Sequence, residues 1–220
     1  MRRSARLVGT VLIVAGFLTL AWVLVVWQWQ DPFTAIYTHF EQARLSHTYE
    51  RRAAAFRSQF VRRDPGSSDH FIVSEAHSYG RTLKVGDPVG RVRIGRIGLN
   101  MVVVQGTDDS TLKRGPGHYI GSALPGEGHL IYIAGHRTTY LAPFADINDI
   151  RIGDYLSFDV PYGHFTYRVI RHYVVADTAL SVLRDHGAEI LRLQACHPRF
   201  FATHRYIVDA KLVSVVPVKH

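Results

Sequence analysis

A chain of 220 residues has room for one ordinary domain and an appendage. Hydrophobic residues make up 47% and aromatic residues 11%, enough for a real core, which excludes a wholly disordered protein. The formal charge of +8 would suit nucleic acid, yet the excess forms no basic tract and accompanies no recognition motif. No nucleic-acid partner is therefore expected, and anionic envelope polymers or lipid head groups are the simpler reading of the charge.

Residues 7–27 contain no charge, and 21 residues are enough to span a hydrocarbon layer of about 30 Å at about 1.5 Å per residue. Arg2, Arg3 and Arg6 precede the run and Asp31 follows it, so the positive-inside rule places the N-terminus in the cytoplasm. Trp22, Trp27 and Trp29 gather towards the far end, as an interfacial belt would. A cleaved signal peptide is the rival reading. It calls for a shorter apolar region and a small-residue cleavage site, and WVLVVWQWQDPF offers none. Residues 1–30 are expected to form a basic tip and a single transmembrane anchor in the plasma membrane, with the rest of the chain extracytoplasmic.

Asp31-Pro32 reads as a helix cap followed by proline in the first turn. Phe33, Ile36, Tyr37 and Phe40 recur at helical spacing, and the chain then becomes charged through Glu50-Arg51-Arg52. A helical stalk over residues 32 to about 62 is expected, with a partly ordered linker as the alternative because the stripe fades after Phe40. Residues 64–69, DPGSSD, mark a break. Residues 31–84 are thus read as stalk and linker.

From about residue 85 to the end at 220 the apolar period changes to two, and one β-rich domain is expected there. Strand-like runs fall at 91–97, 101–105, 130–134, 155–160, 165–175, 190–195 and 206–216, and Pro161-Tyr162-Gly163-His164 joins two of them as a hairpin turn. Short helical pieces fit only at about 142–148 and 179–185. Many short strands with glycine-rich turns predict an all-β fold, a closed or nearly closed barrel with short helices, and argue against a βαβ sheet.

Cys196 is the one cysteine, so it cannot form an intrachain disulfide, and outside the cytoplasm a lone thiol points to reactivity. Leu191, Leu193 and Ala195 share one strand parity and Arg192, Gln194 and Cys196 the other, which predicts a thiol on the polar face at a strand end. His136 follows the strand LIYIA, and Arg205 starts a further strand nine residues after the cysteine. A thiol becomes a useful nucleophile when cationic neighbours favour its thiolate. Imidazole can protonate a leaving amine, and guanidinium can stabilise an oxyanion.

Residues 115–154, GPGHYIGSALPGEGHLIYIAGHRTTYLAPFADINDIRIGD, resemble the sortase family, and class E members most closely. LRLQACHPRFFATHRYIV is similar to the sortase Cys-x-Pro segment with its downstream arginine. The resemblance covers roughly residues 85–216. It implies an eight-stranded β-barrel preceded by an anchor and stalk, and His136, Cys196 and Arg205 as the catalytic triad of a cysteine transpeptidase. Such enzymes cut a sorting signal of the LAxTG or LPxTG kind after Thr and hold the acyl fragment as a thioester. They then pass the surface protein to an amine of a peptidoglycan precursor or a pilin. Ala195 stands where members usually carry Thr, Leu193-Gln194 is unusual, and Leu141 replaces a usual Gly. Beside the triad, Ala195, Thr138 and His118 are the candidate substrate-binding residues.

Other readings are weaker. Gln194-Ala195-Cys196 resembles a caspase signature, but His197-Pro198 follows it instead of the required pattern. Papain-like enzymes place cysteine before histidine, the reverse of the order here. Cys196, His197 and His204 match no common zinc spacing. His118 and His129 read as structural or groove-lining, His172 and His186 as surface residues. A membrane-tethered protease or hydrolase, and a non-catalytic binding barrel, remain the alternative functions. No cofactor or metal is expected; calcium would fall to Asp108, Asp109 and Asp146.

Overall fold

The computed structural model describes residues 2–28, 32–59 and 68–218. The Asp31 cap, Trp29 and residues 64–67 of the expected break lie outside the described residues. Helix α1 (Arg2–Gln28) contains the apolar window Arg6–Leu24, with mean hydropathy 2.4 and none of it buried, long and apolar enough to cross a membrane.

Helix α2 (Pro32–Ser58) is the expected stalk, and it lies along the barrel rather than standing clear of it. The stripe that fades at Phe40 resumes as Leu45, Tyr49, Ala53 and Phe56, spaced to share one helix face. Gln42 fastens that face. Its Nε2 donates to the carbonyls of Val102 (3.0 Å) and Arg114 (2.8 Å), and its Oε1 accepts from Val102 N (2.7 Å). Farther along, Tyr49 donates to the carbonyl of Asp159. Helix α3 (Ser68–Gly80) buries Ile72, Ala76 and Tyr79 in the core shared with the strands, and Tyr79 Oη sits 3.0–3.1 Å from the carbonyls of Pro88 and Val89.

Eight strands close the barrel: β1 (Pro88–Ile94), β2 (Leu99–Gln105), β3 (Gly117–His118), β4 (Leu130–Gly135), β5 (Tyr155–Val160), β6 (Gly163–Ala176), β7 (Ile190–His197) and β8 (His204–Pro217). Their order around the wall is β1-β2-β3-β4-β7-β8-β6-β5, with β5 returning to β1. Pairing is antiparallel except for β2–β3 and β4–β7. Alternation fills the interior: Leu156, Phe158 and Val160 of β5 meet Phe165, Tyr167 and Val169 of β6 and Leu191, Leu193 and Ala195 of β7.

Seven of the strands match the sequence runs, with edges moved. Residues 95–97 turn into a 3-10 helix, and the expected helical pieces shrink to 3-10 turns at Ile147–Asp149 and Leu180–Leu183. Strand β3 is two residues long and carries no period to read. It exists because a Cβ on Gly117 would lie 2.2 Å from the Gly106 carbonyl, so only glycine permits the close approach of the two backbones there. Helix α4 (Asp109–Leu112) is also absent from the sequence reading and is capped by Asp108.

A second apolar cluster lies outside the wall. Tyr132, Ala134 and Ile207, on the outer parity of β4 and β8, pack under Val182 of the β6–β7 segment. Arg192 of β7 and Asp209 of β8 are buried on the same face. Arg192 Nε and Nη2 donate to the carboxylate at 2.6 and 2.9 Å, and Nη1 donates to the Val182 carbonyl.

Candidate active site

The site follows from register. Strands β4 and β7 run parallel with Gly135 opposite Ala195, so the next residues of each, His136 and Cys196, emerge together at one rim. Strand β8 is antiparallel to β7 with Arg205 opposite Cys196. Cross-strand partners share a face, so Cys196 and Arg205 stand outside while Ala195 and its partner Tyr206 face the core. The fold thus brings the three sequence candidates to neighbouring strands at one end of the barrel.

Cys196 is a free, half-buried thiol. His136 is also half-buried, and its Nε2 is buried with no hydrogen-bond partner. Its ring lies 5.3 Å from that of Tyr140 at an interplanar angle of 38°. Burial pulls its pKa below the ordinary 6.5, Asp109 opposes this, and Lys113 adds to it. An imidazole nitrogen that no protein group satisfies is free to take or give a proton. Arg205 Nη1 donates to the carbonyls of Ala202 (2.7 Å) and His204 (2.9 Å), which fixes the guanidinium at the rim. Its Nε and Nη2 carry no hydrogen bond among the described residues.

Arg137 is the site residue that the sequence reading passed over. It is 7% exposed and touches both segments that carry the candidates. Its Nε donates to the Ala145 carbonyl (3.3 Å) and its Nη2 to Asn148 Oδ1 (2.5 Å), bracing the loop after His136. Nη1 reaches the Cys196 carbonyl (3.3 Å) and His197 Nδ1 (2.9 Å), and the guanidinium carbon lies 6.0 Å from the Tyr206 ring centre. A guanidinium can only donate, so His197 Nδ1 must be the acceptor nitrogen. Burial, followed by Arg137 and His204, holds the His197 pKa below its ordinary value. The available signal was position alone, an arginine of opposite parity directly after a strand-terminal histidine.

The other candidates separate. Thr138 is half-buried in the loop that follows His136. Ala195 is 1% exposed with its methyl in the core, so only its backbone faces the site. His118 is 1% exposed inside the wall, with Nδ1 2.8 Å from Gln105 Oε1 and Nε2 2.9 Å from the Ala123 carbonyl. Burial lowers its pKa to about 4, and it braces the wall without offering surface to a substrate. His129 lines a cavity of about 310 Å³ between the β3–β4 loop and the β6–β7 segment, together with Gly121, Ser122, Leu130, Leu183 and Asp185.

The three carboxylates considered for calcium are engaged elsewhere. Asp108 accepts from Ser110 Oγ and from Thr111 N and Oγ1, which holds it well below the usual carboxylate range. Asp109 pairs with Lys113 at 2.6 Å, and Asp146 lies 3.6 Å from Arg199. Among the described residues no three His, Cys, Asp or Glu side chains converge on a point that could hold a metal.

The loop after His136 is strained. Tyr140, Leu141 and Ala142 adopt φ values of 53°, 59° and 37° in succession, a left-handed run without glycine. Phe144 N bonds the His136 carbonyl at 3.1 Å and Ala142 N bonds Thr139 at 2.8 Å, which hold the loop in place.

A closed eight-stranded barrel with this rim is the sortase architecture, and a model of the Sortase domain matches residues 92–213. The chain belongs to the sortase family, whose members are cysteine transpeptidases. Sortase D of Bacillus subtilis (strain 168) is 34% identical over 136 residues, covering 60% of this chain and 67% of that protein. The structure of sortase E from Streptomyces avermitilis matches with a TM-score of 0.56 and 33% identity, over 61% of this chain and 93% of that one. Sortase E1 from Streptomyces coelicolor, solved with a tripeptide in its active site, matches with a TM-score of 0.57 and 25% identity, over 60% and 91% of the two chains.

Proposed function

We propose that the protein is a membrane-anchored transpeptidase that cuts a C-terminal sorting signal of the LAxTG or LPxTG kind after threonine and joins the surface protein to a cell-wall or pilin amine. The observation that carries this reading is the register at the rim, where Cys196 faces Arg205 and His136 leaves the strand beside Cys196. The Cys196 thiolate adds to the threonine carbonyl, and the free Nε–H face of Arg205 stabilises the oxyanion that forms. As the intermediate collapses, the C–N bond breaks and the His136 imidazolium gives its proton to the departing amine, leaving a thioester on Cys196. The acceptor amine then attacks the thioester carbonyl, His136 takes back a proton, and the thiolate is released.

Of the two roles open to such an enzyme, housekeeping anchoring is preferred to pilus assembly. The apolar helix α1 is taken as the anchor, with the barrel outside the cytoplasm.

The test is a library of threonine-containing pentapeptides offered with an amine acceptor. Ligation after threonine, with a thioester adduct on Cys196 by mass spectrometry, is the expected result. Cys196→Ala should abolish both while leaving the circular dichroism unchanged, and full turnover in that variant would end the transpeptidase reading. Release of free acid alone would identify a hydrolase.

A further inference from the structure

Helix α2 enters the barrel at its catalytic end. Tyr37 packs edge-on against Tyr140 with ring centres 6.4 Å apart, and Tyr140 in turn lies against His136. The far end of the helix passes Asp159 and Thr82, close to the β5–β6 hairpin that closes the opposite rim. The apolar window of α1 ends at Leu24, and three residues separate Gln28 from Pro32. Fully extended linkage and helical rise together keep Tyr37 within about 29 Å of that window. Strand β6, 14 residues long and tilted in the wall, runs from the opposite rim at Gly163 to the catalytic end at Ala176, so the two rims stand at different distances from the anchor.

The same end is where aromatic side chains meet solvent. Outside α1, the exposed aromatic residues among those described are Tyr37, Phe40, Tyr155, Phe200 and Phe201, and four of the five stand at the catalytic end. Phe40 is 70% exposed and Phe201 77%. Phe200 and Phe201 lie on the β7–β8 loop only a few residues past Cys196, and Ile36 stands with Tyr37 and Phe40 on α2, against β1 and β2, so exposed apolar groups occupy two sides of the rim. Soluble surfaces seldom gather large apolar groups in this way, whereas an aromatic belt is what a lipid–water interface selects. Arg199 beside the two phenylalanines is 3.6 Å from Asp146 and still half-exposed, so it keeps a cationic edge towards anionic head groups.

We propose that the catalytic rim lies against the membrane, with Ile36, Tyr37 and Phe40 of α2 and Phe200 and Phe201 of the β7–β8 loop entering the head-group layer. The inference rests on the anchoring stated above. It means that the sorting signal and the acceptor amine both reach Cys196 along the bilayer surface, and not from bulk solvent.

The test uses the full chain in lipid nanodiscs, in a Cys196→Ala background so that single introduced cysteines can carry an environment-sensitive NBD probe. Probes at Phe40→Cys and Phe201→Cys should lose roughly half their fluorescence to nitroxide lipids quenching at the head-group boundary, where an interfacial apolar face sits. A probe at His164→Cys, on the opposite rim, should lose none. The native tryptophans, placed at the far end of the apolar run, report the anchor separately through nitroxides set shallow in the acyl chains. Quenched tryptophans with unquenched probes at 40 and 201 would overturn the docking and leave the anchor standing. Unquenched tryptophans would overturn both. Equal quenching at 164 would show a barrel lying on its side, and probes shielded from aqueous iodide yet untouched by the lipid quencher would show a protein partner on the patch; either result overturns the proposal.

Discussion

His136 and Arg137 are adjacent, and burial gives them different work. Burial holds the His136 pKa below 6.5, so the imidazolium that the proposed chemistry requires is a minor species at neutral pH. The pH–rate profile should therefore be bell-shaped, with its acid limb below pH 6.5 and slow turnover at the plateau. Tyr140→Ala removes the ring that packs on His136 and should move the acid limb up towards 6.5; a profile climbing without a descending limb to pH 10 would refute the assignment of roles. Arg137→Ala should reduce kcat about tenfold to a hundredfold, equivalent to about 1.4–2.7 kcal/mol, with KM nearly unchanged. Arg137→Lys, which keeps the charge but loses the fork, should recover only part of that loss. The comparison of kcat with KM, alongside the rate of Cys196 alkylation by iodoacetamide, separates positioning from general destabilisation, and a KM effect alone would mean that Arg137 acts on binding. The sequence made Cys196, His136 and Arg205 legible because each ends or begins a strand on the outer parity. It hid Arg137, because a charge beside a histidine reads as surface until the β4–β7 pairing shows which carbonyl lies beneath it.

Among the elements, β7 and β8 carry both the core and the site, and one ion pair joins them under the Leu180–Leu183 turn. The Asp209 carboxylate accepts from Arg192 and, at 2.8 Å, from Arg171, and it is 1% exposed. Removing one partner of such a pair strands the other charge in the interior, which costs about 3–5 kcal/mol. Asp209→Ala should lower the denaturation midpoint accordingly. Because Arg192 also holds the Val182 carbonyl, the variant should in addition loosen the Leu180–Leu183 turn, visible as faster amide exchange there than in β5. Loss of stability without change at that turn would show that the pair is purely a core element. Most strands were readable from alternation because one face of each is apolar. The face that holds Arg192 and Asp209 reads as polar and hence as exposed, and only the crossing of the β6–β7 segment, a tertiary event, explains its burial.

For the whole molecule, the change of period at residue 85 marks where the strands begin, and the core does not stop there. Phe56 of α2 and Ile72, Ala76 and Tyr79 of α3 belong to the same cluster as the strand residues, with Phe56 and Tyr79 ring centres 4.9 Å apart and Tyr79 6.0 Å from Tyr162. The sequence concealed this because Leu45, Tyr49, Ala53 and Phe56 form a thin stripe through a strongly charged helix, which reads as a solvated stalk. Burying a side chain such as Phe56 or Ile72 contributes about 1.5–3 kcal/mol. Three large side chains therefore supply roughly 5–9 kcal/mol, comparable with the whole stability of an ordinary domain. A fragment of residues 85–220 should accordingly aggregate or show no cooperative melt, whereas residues 32–220, which keep α2 and α3 but lack the apolar helix, should unfold in one transition. Differential scanning calorimetry on the two fragments decides the point. A cooperative melt of 85–220 within a few degrees of the longer fragment would show that α2 and α3 are dispensable clamps, and the barrel would then be a domain in its own right.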